Sequence, residues 1–385
     1  MGARVHAPTS AAPARPPRAA RVAPQDVLAL QRAAGNRNVL ARLVVNTGLK
    51  RKTRSDAFAR DAHDWWADPA NKDKSLKDFS DFLISKANAL LRTMGSFEVK
   101  PSYVTTGSAS GTFDRTTWAM EINTAKFSGR AGVTKVSDLT LDEAAEIADT
   151  IYHEIRHSEQ YFRIARIRAA ESKKTGADVA KEIASDMSIP ANVAQAAAAK
   201  PMKAGKDNKY LIAEAKGWES ITIGRHAAYK GIINTWGDEA DEARDAALAV
   251  DATNLAATKG KIAAHISNWK TDNSRAKFVA KHLAETVKLA TKSRVDRLVI
   301  KHLTAIRDAL AKVNAAWKQV EDNWASDDAA ARLRRLTAMQ PSLRQLSRVL
   351  YAAYRDHVHE KDAWETGAAV GKEFRRLGPR AAPGP

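Results

Sequence analysis

Hydrophobic residues recur at helical spacing over most of the chain. Between residues 55 and 95, the apolar positions that predict buried helical faces are Trp65, Trp66, Leu76, Phe79, Phe82, Leu83, Leu90 and Leu91. From Thr140 nearly to the end the pattern is again helical, with Ala-rich stretches and long charged and apolar segments. We expect breaks between these helices at Pro190, Pro201, Gly205, Gly237 and Pro341.

Residues 97–127 differ from the rest of the chain. Gly and Ser turns are followed by Trp118, Met120 and Ile122 at alternate positions, a pattern typical of a strand with one buried face. This is the best strand region in the sequence. The expected fold class is therefore mainly α with a small antiparallel sheet, an α+β arrangement.

Charge divides the chain unevenly. The formal net charge of the 385 residues is +18, and residues 1–54 contribute +10 of it with eleven Lys or Arg and one acidic residue, Asp26. Residues 1–24 have too little apolar surface to fold, and two short helical pieces are expected around Val27 to Leu43. We predict a disordered basic tail over 1–54, a core over 55–236 and a helical portion over 237–385 that returns to the core.

Composition excludes several kinds of site. The chain has no cysteine, so disulfides, thiol catalysis and Cys-ligated zinc are excluded, and any metal ligand must be His, Asp or Glu. The amino terminus has no apolar run typical of a signal peptide, so we expect synthesis in the cytoplasm without membrane insertion. Nucleic-acid binding by the basic tail is one alternative, although no aromatic residue interleaves its charges before Phe58.

One helix carries the main candidate chemistry. Thr140 and Glu143 form a capping-box pattern, which predicts a helix from Leu141 to about Ser172. Its apolar stripe consists of Ala144, Ile147, Ala148, Ile151, Ile155, Phe162 and Ala165. The opposite face presents Glu146, Thr150, His153, His157 and Gln160.

That face contains the string HEIRH. His153 and His157 are one turn apart, so both imidazoles can reach one zinc ion, and Glu154 lies beside them. In an HExxH site the glutamate is the general base that activates the attacking water. The alternative is a solvated helix face with two ordinary histidines. The spacing predicts a zinc site with His153 and His157 as ligands and Glu154 as the catalytic residue.

A catalytic zinc site usually has a third protein ligand, and two glutamates are candidates. On a helix starting near His359, Glu360 shares an apolar stripe that also includes Ala363, Trp364, Gly367 and Phe374. Asp362, Glu365 and Glu373 are expected to point the other way. Because a carboxylate on an apolar face needs a partner, Glu360 is the predicted ligand. Glu214 is the second choice, and for it a buried salt bridge with Arg225 is the structural alternative.

Two segments resemble proteins associated with bacterial extracellular contractile injection systems. The segment LQRAAGNRNVLARL, residues 30–43, is similar to a short segment near the start of many such proteins, which implies loading into the particle. The string YHEIRHSEQYFRIAR resembles their metallopeptidase domains, in which HExxH is commonly followed three residues later by Gln, here Gln160. The sequence EKDA, which begins at Glu360, resembles the Glu-x-x-Ala spacing of the third ligand in gluzincins.

The resemblance implies a zincin-like core and a zinc metallopeptidase that acts as a toxin or effector cargo. Its partners would be a protein or peptide substrate and, through the N-terminal tail, components of the injection particle that delivers it to a target cell. In zincins an edge strand above the HExxH helix pairs with the substrate, and the segment TTWAMEIN makes Trp118 and Met120 the substrate-strand candidates. The remaining alternative is a catalytically inactive zincin-like cargo or structural component.

Overall fold

The computed structural model describes residues 48–105, 110–127, 130, 132–205, 208–270 and 275–379. The first two helices are α1, Lys52–Ala67, and α2, Leu76–Thr93. α2 begins with a capping box, in which the Ser75 hydroxyl accepts from the Asp78 N–H. The apolar positions predicted in this region lie in the core or pack against it: Trp65, Trp66, Leu76, Phe79, Phe82, Leu83, Leu90 and Leu91.

A three-stranded sheet follows, in the order β1-β3-β2. β1 is Lys100–Tyr103, β2 is Gly111–Asp114 and β3 is Ala119–Ile122. β3 pairs with β2 antiparallel, as expected, but pairs with β1 in parallel. The small sheet is thus confirmed, but the prediction that it is purely antiparallel is wrong. The chain runs from β1 to β2 at the opposite edge and returns between them as β3, parallel to β1.

Helix α3, Leu141–Glu171, crosses the centre of the fold. It begins with the predicted capping box: the Thr140 hydroxyl accepts from the Glu143 N–H, and the Glu143 carboxylate accepts from the Thr140 N–H. The predicted apolar stripe is buried. The opposite face is covered too, since His153, His157 and Gln160 are all less than a tenth exposed. A solvated helix face is therefore excluded for this part of α3.

The remaining chain is helical, and the mainly α fold class is confirmed. The further helices are α4 Ala177–Met187, α5 Ala191–Ala199, α6 Lys209–Thr222, α7 Ala227–Leu248, α8 Leu255–Lys270, α9 Arg275–Val287, α10 Arg294–Asn323, α11 Ala329–Asp356 and α12 Val358–Arg376. Breaks occur at Pro190, Pro201 and Gly205 as predicted. Gly237 and Pro341, by contrast, lie inside α7 and α11. Within the described ranges, no helix has the length and apolarity to cross a membrane.

The helices form two hydrophobic clusters, and the boundary between them differs from the boundary predicted at residue 236. The first holds α1 to α5, the sheet and part of α6 as far as Trp218, and α12 rejoins it through Val370 and Phe374. The second begins at Ile221 and ends at Ala353. The change of cluster therefore falls within α6, not at residue 236, which lies in the middle of α7. The predicted return of the C-terminal part occurs through α12, which packs along α3.

The predicted tail is shorter than 54 residues. Its residues 1–47, including the segment LQRAAGNRNVLARL, lie outside the described residues, and the compact unit that contains all described residues begins at Asn46. Leu49 is completely buried, its N–H donates to Glu159 Oε2 at 2.9 Å and its carbonyl accepts from the Tyr152 hydroxyl at 2.8 Å. Residues 48–54 consequently belong to the fold, which corrects the prediction for that stretch.

Candidate metal centre

His153 and His157 face each other on α3. Their Nε2 atoms are 3.2 Å apart, with the ring planes at 85°. Two ligands at 2.0–2.1 Å from one tetrahedral ion are about 3.3 Å from each other. The two imidazoles therefore have the separation that a shared zinc ion requires, and together with Glu154 they form a group of ligand atoms that all lie within 4.8 Å of one another.

Glu360, near the start of α12, approaches both imidazoles. Its Oε2 lies 3.3 Å from His157 Nε2 and 3.9 Å from His153 Nε2, and the side chain is only 6% exposed. The three atoms form a triangle of the size expected for three zinc ligands. Residues some two hundred positions apart in the sequence thus meet because α12 packs against α3.

Glu214, the second choice, occupies a different position. Its Oε2 is 2.9 Å from Arg163 Nη1, so it forms a salt bridge. The salt bridge predicted between Glu214 and Arg225 is wrong, since Arg225 pairs instead with Asp296 on α10. Of the two candidate glutamates, Glu360 is the one that the fold brings to the imidazoles.

Gln160 fixes the orientation of His157. The amide Nε2 of Gln160 donates to the His359 carbonyl and to Asp362 Oδ2, both at 2.9 Å. Its Oε1 must therefore face His157 Nδ1, 2.9 Å away, which makes Nδ1–H the donor. The lone pair of a neutral His157 then lies on Nε2, toward Glu360, which is the tautomer that a metal ligand needs.

Asp362 differs from the prediction. It was expected to point away from the core, yet it is 5% exposed and accepts from Arg156 Nε at 2.8 Å and from Lys50 Nζ at 3.0 Å. Burial alone would raise the pKa of Asp362, but Arg156 and Lys50 hold it well below its usual range. A fully buried arginine on α3 thus provides the charge that turns Asp362 inward, and sequence periodicity alone gives no sign of that partner.

Of the other two carboxylates expected to point outward, Glu365 is half-exposed and contacts Lys50. Glu373 pairs with Arg376 one helical turn away, and its side chain is only 11% exposed. The outward direction predicted from the periodicity of α12 is therefore found at Glu365 but not at Asp362, and Glu373 is mostly covered.

Glu154 lies between the imidazoles and the sheet. Its Oε1 is 3.5 Å from His153 Nε2, and its Oε2 accepts from the Phe113 N–H at 2.9 Å. Burial raises the pKa of Glu154 to about 7, which is the range in which a carboxylate accepts and returns protons most effectively at neutral pH.

The strand beside the site is β2, not β3. β3 is the central strand, paired on both sides, and Trp118 and Met120 are buried in the core. Their prediction as substrate-strand residues is therefore wrong. Phe113 belongs to β2, an edge strand, and its N–H points away from β3 toward Glu154. The period-two pattern located the sheet but could not distinguish its central strand from its edge.

Three side chains missed in the sequence surround Glu360. The Tyr354 hydroxyl donates to Oε2 at 3.2 Å, His359 Nε2 is 3.1 Å from Oε1, and Lys230 Nζ is 3.8 Å from Oε1. His359 could have been recognised from the sequence, because it directly precedes Glu360 in HVHEKD. Tyr354 on α11 and Lys230 on α7 could not, since only the tertiary fold brings them to the site.

Burial and charge shift the pKa values of the two candidate histidine ligands in opposite directions. Burial, reinforced by the proximity of His157, lowers the pKa of His153 to about 3, so its ring is neutral at physiological pH. Burial would also lower the pKa of His157, but Glu360 outweighs it and raises that pKa. Burial would raise the pKa of Glu360, which His157 and His359 instead hold well below its usual range. Protonation of His157 would place positive charge beside Glu360, which is the charge that a bound cation would supply instead.

The donor set, two imidazole nitrogens and one carboxylate oxygen, fits zinc. No protein-family model, curated protein or solved structure matches the chain. The class of protein must therefore be inferred from the site itself.

Proposed function

We propose that the chain is a zinc metallopeptidase that hydrolyses peptide bonds and acts as a toxin or effector cargo of a contractile injection system. The observation that carries the enzymatic part is the approach of Glu360 to both HExxH imidazoles, with Glu154 beside them. A chance HExxH on a helix surface has no reason to be met by a third buried ligand from the far end of the chain.

His153, His157 and Glu360 would hold the zinc ion. When bound, zinc polarises the scissile carbonyl and makes water more acidic. Two histidines with one glutamate form a donor set found in catalytic zinc sites, in which a water or substrate takes the fourth position. Gln160 keeps His157 in the required tautomer throughout.

Glu154 accepts the proton of the attacking water and then donates it to the leaving amine. A pKa of about 7 allows it to do both at neutral pH. Its hydrogen bond from Phe113 fixes the carboxylate beside edge strand β2. An extended peptide that adds to the free edge of β2 would pass next to this base.

Lys230 and Tyr354 supply positive charge and an O–H donor on the Glu360 flank of the site. Groups of this kind stabilise the negative charge that develops on the carbonyl oxygen during peptide hydrolysis, since they are fixed in place before the reaction. The two residues come from α7 and α11, so the second hydrophobic cluster would contribute to turnover as well as to stability.

Metal analysis of two matched variants tests the proposal. Full-length protein purified without chelator should contain about one zinc per chain, Glu360→Gln should lose most of it, and Glu214→Gln should keep it. Both changes remove one negative charge and keep the side-chain shape. Absence of zinc from the wild type, or equal zinc in the two variants, would refute the site. Zinc without any peptide hydrolysis would favour the inactive cargo.

The delivery part of the proposal rests on the resemblance of residues 30–43 to segments of injection-system proteins. Removing residues 1–47 should abolish loading into particles while zinc content stays the same. Loading that survives this deletion would contradict the role of the segment. Salt-sensitive DNA or RNA binding that the deletion removes would instead favour the nucleic-acid alternative.

A further inference from the structure

A concave site lies along the C-terminal half of α3. It is a cavity of about 270 Å³. One part of its wall is apolar, formed by Met94, Phe162, Met202 and Leu211. The rest is cationic, formed mainly by Arg54, Arg163 and Arg166. The volume is slightly below the roughly 300–1,000 Å³ of drug-sized sites, so the cavity suits a small molecule.

Among the described residues, two of the three arginines have no carboxylate partner. Arg54 donates to the Gly48 carbonyl at 2.8 Å and Arg166 donates to the Lys200 carbonyl at 2.6 Å. Over the described ranges, no carboxylate oxygen lies within salt-bridge distance of either. Burial and the nearby charge of Arg163 lower the pKa of Arg166, which indicates that its positive charge is not compensated.

The acidic residue in the wall does not supply the missing charge. Glu159 accepts from the Leu49 N–H at 2.9 Å, and its carboxylate is held between Arg156 and Arg163. Arg163 also pairs with Glu214. These charges are already balanced among themselves, so the positive charge left in the cavity is that of Arg54 and Arg166.

The charge of residues 1–47 makes this segment a poor candidate to occupy the cavity. Residues 1–47 contain seven arginines and one acidic residue, Asp26, so they carry excess positive charge. A basic segment is repelled by unpaired guanidinium groups. The cavity therefore favours an anion from outside the chain, and its apolar wall favours one with a hydrocarbon body.

We propose that this cavity binds a small amphipathic carboxylate, with the carboxylate on Arg54 and Arg166 and the hydrocarbon part against Met94, Phe162, Met202 and Leu211. Guanidinium groups bind carboxylates through paired N–H donors. Ser96, also in the wall, has a buried hydroxyl oxygen without a hydrogen-bond partner in the described part of the chain. It is placed to contribute a further polar contact.

Calorimetric titration of the full-length protein with octanoate tests this site. Octanoate should bind saturably at one per chain, while octan-1-ol, which has the chain without the charge, and inorganic phosphate, which has charge without the chain, should each bind at least tenfold more weakly. Saturable binding of octan-1-ol or phosphate as tight as that of octanoate would overturn the proposal, as would no saturable binding of octanoate.

Variants locate the binding. Arg54→Gln and Arg166→Gln should each weaken octanoate binding at least tenfold, the usual value of a hydrogen bond to a charged group. Arg307→Gln, a half-exposed arginine on α10, is the matched control and should bind like the wild type. Wild-type affinity in both cavity variants would contradict the assignment. None of these residues is a candidate zinc ligand, so the zinc content of the same samples reports on the proposed peptidase site separately.

Discussion

Arg156 and Asp362 are 206 residues apart in the sequence and form a buried ion pair at 2.8 Å. The Arg156 side chain is completely buried, and it also contacts Glu159. Asp362 in turn accepts from Gln160, which orients His157. The pair therefore connects the packing of α12 on α3 to the geometry of the candidate metal centre.

Asp362→Asn should destabilise the protein by about 3 kcal/mol, because it removes a buried negative charge that pairs with Arg156. Zinc affinity should fall about 10- to 100-fold, since the support of Gln160 is weakened. Urea unfolding and competition with a chromophoric chelator measure the two effects. The control is Glu365→Gln, which contacts the same Lys50 but is half-exposed and should change stability by less than about 0.5 kcal/mol. Equal effects of the two variants would disprove the role of the buried pair.

Glu154→Gln should lower the turnover number by about 10²- to 10⁴-fold, the usual contribution of a positioned acid-base group. Zinc content should not change, because the imidazoles and Glu360 are untouched. Proteomic comparison of cleavage by the wild type and the variant identifies a substrate, and steady-state kinetics on it gives the rate. The exposed Glu98→Gln serves as control. Wild-type turnover in the Glu154 variant would show that another group is the base.

Asp149→Asn should stabilise the protein at neutral pH. Asp149 lies so close to Gly367 of α12 that a Cβ atom added to this glycine would be 2.2 Å from Asp149 Oδ1. This oxygen has no hydrogen-bond partner in the described part of the fold. Burial raises the pKa of Asp149 from 3.8 to about 6. Between these values the folded state binds more protons than the unfolded state, so the carboxyl group lowers stability as pH rises from about 4 to 6.

The stability difference between variant and wild type should therefore be small at pH 4 and reach up to about 3 kcal/mol at pH 7. Urea unfolding at several pH values measures it. Asp73→Asn, at an exposed position, should show no such trend. A difference that stays constant with pH would show that ionisation of Asp149 is not its cause.

Two truncations distinguish the tail from the fold. Removing residues 1–47 should leave the unfolding free energy unchanged, because the compact unit begins near that point. Removing residues 1–54 should cost about 2–5 kcal/mol, since it deletes the buried Leu49 and the Lys50 contact with Asp362. Differential scanning calorimetry of both proteins checks this. If the longer truncation is as stable as the shorter one, residues 48–54 do not contribute to the core.

The sequence predicted what depends on local pattern. The capping box at Thr140, the buried stripe of α3 and the approach of Glu360 to the imidazoles follow from periodicity and from the cost of placing a carboxylate on an apolar face. Asp362, Tyr354 and Lys230 were missed because their partners lie on distant helices. Trp118 and Met120 were misjudged because alternation identifies a strand without giving its neighbours, and Gly237 and Pro341 because helix packing can offset a local break.

The wide sequence separation between His157 and Glu360 has a consequence for how this chain tolerates change. Joining the ends of a flexible segment becomes only about 0.6 kcal/mol less favourable for each doubling of its length. The helices that separate the two residues have a hydrophobic cluster of their own, from Ile221 to Ala353. Lengthening or shortening the loops among them should leave the ligand triangle intact, provided that α7 and α11 still deliver Lys230 and Tyr354. The loops between these helices can therefore vary in length while the candidate ligand positions stay the same.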